Sequence, residues 1–111
     1  MANPKDIPQE IKTQVEAIVE HFNQRYRSEP TDSQYAVRFR GKHLYLARVA
    51  LGEQHPICRL TYKGHIDNWE FAIYKYSSER YDPEEWWFPG SGLVDGTIEG
   101  AMKAGLEAYS I

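Results

Sequence analysis

Apolar residues recur at steps of three and four at Ile11, Val15, Ile18, Val19, Phe22 and Tyr26. That spacing puts them on one face of a helix. Glu10, Glu16, Glu20 and Arg25 fall elsewhere on the wheel. Asp6 is placed to act as N-cap, with Gln9 three residues later completing a capping box. Pro8 falls in the first turn, where its missing N–H costs nothing, and Pro30 ends the pattern. A helix of about twenty residues is roughly 30 Å long. It must lie across a whole sheet, or overhang it and meet another subunit.

Beyond Pro30 the period falls to two. Tyr35, Val37 and Phe39 alternate with Ala36, Arg38 and Arg40, which predicts a strand. Gly41 and Lys42 form a tight turn into a second strand over 43–50. Residues 51–56 read as a longer loop and 57–63 as a third strand. A turn over 64–68 leads to a fourth strand over 69–76. There Trp69, Phe71 and Ile73 share one face, and Glu70, Ala72, Tyr74 and Tyr76 the other. Short connections make consecutive strands neighbours in an antiparallel meander. Residues 77–96 form a loop, because Pro83, Pro89, Gly90 and Gly92 bar a long regular element. Ile98, Met102, Leu106 and Tyr109 are the apolar stripe of a second helix over 97–109. Gly100, Ala101, Ala104, Gly105 and Ala108 keep much of its surface small.

The order is α-β-β-β-β-α, an α+β fold in a single domain over residues 1–111. One sheet carries both helices on the face of Phe71 and Ile73. The other face holds Arg38, Arg40, Arg59, Thr61, Glu70 and Tyr74, and meets water or a partner.

Composition fits one globular domain: 111 residues, 26% charged and 41% hydrophobic. No apolar run can span a bilayer, and the N-terminus lacks the basic head and apolar body of a signal peptide. Cys58 is the single cysteine, so no internal disulfide forms. Together these point to a soluble protein of a reducing cytosol. The net charge of −3 hides an asymmetry. Between Gln34 and His65 stand Arg38, Arg40, Lys42, Arg48, Arg59 and Lys63 against Glu53, a balance of +5. Between Ile66 and Glu99 stand Asp67, Glu70, Glu79, Asp82, Glu84, Glu85, Asp95 and Glu99 against Lys75 and Arg80, a balance of −6. Mutual neutralisation within one domain is the simpler reading. A basic face and an acidic edge that meet different partners is the sharper one.

Catalytic chemistry finds little footing. His21, His43, His55 and His65 fall on a helix, a strand, a loop and a turn, none at ligand spacing with another His or Cys. Glu79, Asp82, Glu84 and Glu85 lack the order of a calcium loop. Cys58 alternates with Leu60 and Tyr62 and reads as a small buried hydrophobe. Ser91 lies between glycines without the nucleophile-elbow setting. Gly90-Ser91-Gly92 precedes the second helix, but Asp95 would repel an anion there. An N-cap role for Asp95 or Thr97 fits better. No catalytic residue, metal ligand or cofactor fingerprint emerges.

Two features suggest binding instead. Arg38, Arg40, Arg59, Tyr74 and Tyr76 on an open sheet offer cations for phosphates and rings for bases, as a single-strand platform would. The acidic pI of about 5.8 weighs against it. The run Trp86-Trp87-Phe88 cannot all enter one core from an extended segment. If Trp86 and Phe88 point in, Trp87 points out and suits a partner surface. Residues Arg59 to Tyr109 also carry Arg59-Leu60-Thr61-Tyr62-Lys63-Gly64, the strand from Trp69 to Ser77, Tyr81-Asp82-Pro83-Glu84-Glu85, and Asp95-Gly96-Thr97-Ile98-Glu99-Gly100-Ala101. On these the chain resembles small uncharacterised bacterial proteins of conserved-hypothetical families. The resemblance implies a bacterial cytosolic protein and transfers no site residues. The expectation is a non-enzymatic binding or assembly module, a homodimer, acting on a protein partner through Trp86, Trp87, Phe88, Arg38, Arg40, Arg59 and Tyr74. Single-stranded nucleic acid is the alternative ligand.

Overall fold

A computed structural model describes residues 6–26 and 33–109. Helix α1 (Gln9–Arg25) is followed by β1 (Gln34–Arg40), β2 (His43–Ala50), β3 (Glu53–His65), β4 (Asn68–Lys75), β5 (Arg80–Asp82) and α2 (Ile98–Ala108). A short 3-10 turn, Ser91–Leu93, precedes α2. The strands form one antiparallel sheet in the order β1-β2-β3-β4-β5. The expected α+β meander between two helices is therefore what the chain adopts, with one strand more than its pattern predicts. Among the described residues no helix is long and apolar enough to cross a membrane.

Helix α1 buries Val15, Val19 and Phe22, as the stripe predicts. Its start differs. Pro8 occupies the N-cap position without a side-chain cap, and its carbonyl accepts from the N–H groups of Ile11 and Lys12. The Asp6–Gln9 capping box does not form, because Ile7 is drawn into the core and gives its N–H to the Gly41 carbonyl at 3.0 Å. Burying Ile7 is worth about 1.5–3 kcal/mol, which exceeds a typical cap of about 1 kcal/mol. Pro30, the predicted stop, lies outside the described residues.

Two further boundaries are corrected. Residues 51–56 are not a loop: only Leu51 and Gly52 turn, both left-handed at φ 52° and 81°, and β3 begins at Glu53. Pro56 is accommodated because the β2–β3 register shifts beside it, Cys58 lying opposite Leu46 and Pro56 opposite Ala47. A bulge is where a strand tolerates proline. The second correction is β5, three residues too short to show a period, which pairs Tyr81 with Tyr74.

One core joins the layers. Leu44, Leu46, Ile57, Cys58, Leu60, Phe71 and Ile73 of the sheet meet Val15 and Phe22 of α1 and Ile98, Ala101 and Met102 of α2. The Tyr35 hydroxyl crosses that core to donate to the Met102 carbonyl at 2.6 Å. Gly105 allows this approach: a Cβ there would lie 2.2 Å from the Tyr35 hydroxyl and 2.6 Å from Ile57. Of the small residues of α2, Gly105 is thus used against the sheet, while Gly100 and Ala104 are approached by Asp95, Leu93 and Gly90 of the preceding loop. At 17 residues α1 is about 26 Å long.

Candidate anion-binding face of the sheet

With both helices on one side, the opposite side of the sheet is open. Register assembles it in rows. Arg38 lies opposite Tyr45, Tyr45 opposite Arg59, and Arg59 opposite Ala72. The next row is Arg40, His43, Thr61 and Glu70. Tyr74 and Tyr81 pair farther along β4.

Within these rows the side chains interlock. The Arg38 guanidinium lies 4.8 Å from the centroid of Tyr45, and that of Arg59 5.8 Å from Tyr81. The rings of Tyr45 and Tyr81 are 5.3 Å apart, although their strands are three steps apart, about 14 Å in a flat sheet. Both side chains lean inward across Arg59, so the face is concave. Tyr81 also packs on Tyr74 at 4.9 Å, Tyr74 on Tyr76 at 4.9 Å, and Tyr76 on Tyr109 at 5.2 Å. Burial, and then its neighbours Tyr109, Tyr74 and Tyr81, push the Tyr76 phenol up to about 12.

Two depressions result. One, about 390 Å³, is bordered by Arg38, Tyr45, Gln54, Pro56 and Tyr81, with Ala36 and Ala47 also lining it. The other, about 260 Å³, is lined by Lys42, His43, Arg59, Thr61, Glu70 and Ala72. His43 Nδ1 is 2.9 Å from the Thr61 hydroxyl. Burial, then Arg59 and Lys42, hold the His43 imidazole below its ordinary range.

The electrostatics of this face are unbalanced. Asp82 and Glu85 go to Lys75, with Arg80 also near Asp82. One ion pair, Lys63–Glu70 at 3.8 Å, links the basic stretch to the acidic one, and both its partners are largely in water. Among the described residues no carboxylate lies within 4.0 Å of Arg38, Arg40 or Arg59. The Nε of Arg59 is buried without a hydrogen-bond acceptor. Among the described residues, neutralisation between the two stretches, the simpler expectation, therefore does not reach Arg38, Arg40 or Arg59.

The seven residues singled out from the sequence fall in two places. Arg38, Arg59 and Tyr74 stand together on the concave face. Arg40 is exposed at the end of β1, beyond the depressions. Trp86, Trp87 and Phe88 lie on the loop after β5. Trp86 and Phe88 each stack against Phe71 with centroids 5.8 Å apart, and Trp86 Nε1 donates to the Pro83 carbonyl at 3.1 Å. Trp87 is 95% exposed, as expected, whereas Trp86 is itself 44% exposed and only Phe88 is partly buried, so the inward half of the alternation is only partial. Sequence reasoning missed Tyr45, His43 and Tyr81. The first two were within reach, since a two-residue hairpin fixes which positions of the second strand share a face with Arg38.

Elsewhere, Cys58 is fully buried and burial pushes its thiol far up, which disfavours the nucleophilic thiolate. Thr97 caps α2, its hydroxyl oxygen accepting from Gly100 N–H at 2.9 Å, while Asp95 Oδ1 accepts from the N–H and hydroxyl of Thr97. Both residues thus share the cap. Among the described residues no three His, Cys, Asp or Glu gather as a metal site would require. Comparison with family profiles, with curated proteins and with solved structures finds no match for this chain, so its chemistry is read from its own residues.

Proposed function

We propose that this chain is a non-enzymatic binding module that holds an acidic segment of a protein partner against the concave face of its sheet. The observation that carries this is the pair Arg38 and Arg59, each lying against a tyrosine ring and neither near a carboxylate of the described residues. A guanidinium laid on a ring keeps its N–H edge free, and that edge matches a carboxylate bidentately. The reading is further supported by Trp87, whose ring stands in water and is of the type that anchors protein interfaces.

Single-stranded nucleic acid is the weaker fit. Its phosphates would suit the same arginines, but base stacking needs free ring faces. Here Arg38 covers Tyr45, and Tyr81 is hemmed in by Tyr45, Tyr74 and Arg59.

Fluorescence anisotropy with a labelled glutamate-rich peptide and a labelled oligothymidylate, across a salt series, tests the reading. The peptide is expected to bind at low salt and weaken as salt rises. Arg38→Ala with Arg59→Ala is expected to lower its affinity about tenfold or more, since a hydrogen bond to a charged group is worth about 1.5–3 kcal/mol. Binding of the oligonucleotide alone would transfer the face to nucleic acid. Binding of neither removes the face as an anion site.

A further inference from the structure

Among the described residues the outer edge of β1 has no strand beside it, yet its two ends are closed by different means. At one end Asn23 of α1 meets the backbone of Tyr35: its Oδ1 accepts from the Tyr35 N–H at 2.8 Å, and its Nδ2 donates to the Tyr35 carbonyl at 2.9 Å. One side chain thus supplies the donor and the acceptor that a neighbouring strand residue would present. At the other end the Ile7 N–H donates to the Gly41 carbonyl. In an antiparallel ladder a residue's N–H and C=O point to the same side, and the next residue's to the other. Tyr35 and Gly41 both face outward, so Val37 and Phe39, between them at the same parity, also turn both groups outward. Among the described residues no loop backbone hydrogen-bonds to either.

A groove of about 450 Å³ lies between α1 and the Gln34–Val37 part of β1, beside the Val37 end of this gap. Val19, Tyr35 and Val37 give it an apolar floor, Glu16 and Glu20 line its helix side, and Asn23 closes one end. Both glutamates are exposed, and neither has a cation within 4.0 Å among the described residues. Five residues separate the two closed ends, room for one short extended segment of about 17 Å.

We infer that the β1 edge between Tyr35 and Gly41 is a strand-docking site for an extended partner peptide with basic side chains at alternate positions. Backbone bonds to Val37 and Phe39 hold the peptide, as in other cases of strand addition. Its alternate residues then face α1, where Glu16 and Glu20 select lysine or arginine. A second copy of this chain fits poorly, because β1 would present Tyr35, Val37 and Phe39 to those glutamates. The site is separate from the arginine face and takes the opposite charge, so each stands or falls alone.

Amide hydrogen exchange with two synthetic peptides tests this, one of alternating lysine and threonine, the other of alternating glutamate and threonine. In the free protein the Val37 and Phe39 amides are expected to exchange fast, and the lysine peptide is expected to slow both. Glu16→Gln with Glu20→Gln should weaken that peptide about tenfold. Val37→Pro, which removes an outward N–H and is tolerated on an edge strand, should abolish docking. Slow exchange in the free protein would overturn the inference by showing the edge already covered. No protection at millimolar peptide, or equal protection by the glutamate peptide, would overturn it too. The exchange of wild-type amides decides the matter even if the proline variant fails to fold.

Discussion

His43 shows how a single residue reports on the concave face. Burial, Arg59 and Lys42 depress its pKa in the folded chain. The unfolded chain therefore binds more protons as pH falls below about 6.5, the unperturbed histidine value. Stability from this group is full above that pH and is lost as pH falls through the depressed value. An anion in the depression reverses the local field and favours the imidazolium. Binding of an acidic peptide should then take up a proton, and affinity should rise as pH drops from about 7.5 to 5.5, a range in which carboxylates stay ionised. Anisotropy titrations at stepped pH check this. His43→Gln should flatten the profile, and an equally steep profile in that variant would assign the effect to another group.

At the scale of the element, the loop between β5 and α2 is ordered by its rings. Trp86 and Phe88 stack on Phe71 and on each other, at 6.2 Å between centroids, while Trp87 contributes its backbone, donating to Glu85 at 3.0 Å. Aromatic pairs are worth about 0.5–1.5 kcal/mol beyond burial. Trp86→Ala is expected to cost about 1–2 kcal/mol in urea unfolding, and Trp87→Ala less than about 0.5 kcal/mol. A larger loss from Trp87→Ala would mean that its ring is a structural prop rather than a free contact. The edge elements differ in kind. β5 covers part of one edge with three residues, whereas β1 relies on Asn23, Ile7 and the charges of Arg38 and Arg40 to discourage unwanted pairing.

The molecule as a whole depends on one core shared by the sheet and the two helices on its inner face. Ile7, Val15, Val19 and Phe22 all lie in the cluster that also contains the inner face of the sheet and α2. At about 1.5–3 kcal/mol for each large buried side chain, their loss rivals the 5–15 kcal/mol that stabilises a typical domain. A chain starting at Ser33, lacking α1, is therefore expected to show no cooperative thermal transition by circular dichroism. A sharp transition would show that the meander and α2 fold without it. The same layering gives the molecule its functional sides. Two helices on one face leave the arginine rows open on the other, and α1 running beside β1 makes the groove at the edge.

Periodicity was enough for the order of elements, the meander and the sidedness of Arg38, Arg59 and Tyr74, because a strand's two faces and a helix's stripe are written at fixed intervals along the chain. It was enough for Trp87 as well, by simple alternation. It misread 51–56, where Pro56 and Gly52 look like loop, because a bulge that accepts proline depends on the partner strand. It passed over β5, whose three residues are held by Tyr74 and Tyr81 rather than by any local pattern. It placed a cap at Asp6, because the pull of Ile7 into the core is a long-range effect. Which acids pair with which bases, how far Tyr45 and Tyr81 lean together, and the docking of Asn23 on Tyr35 were decided only in three dimensions. Each joins residues distant in sequence, and their meeting follows from sheet curvature and helix placement rather than from spacing along the chain.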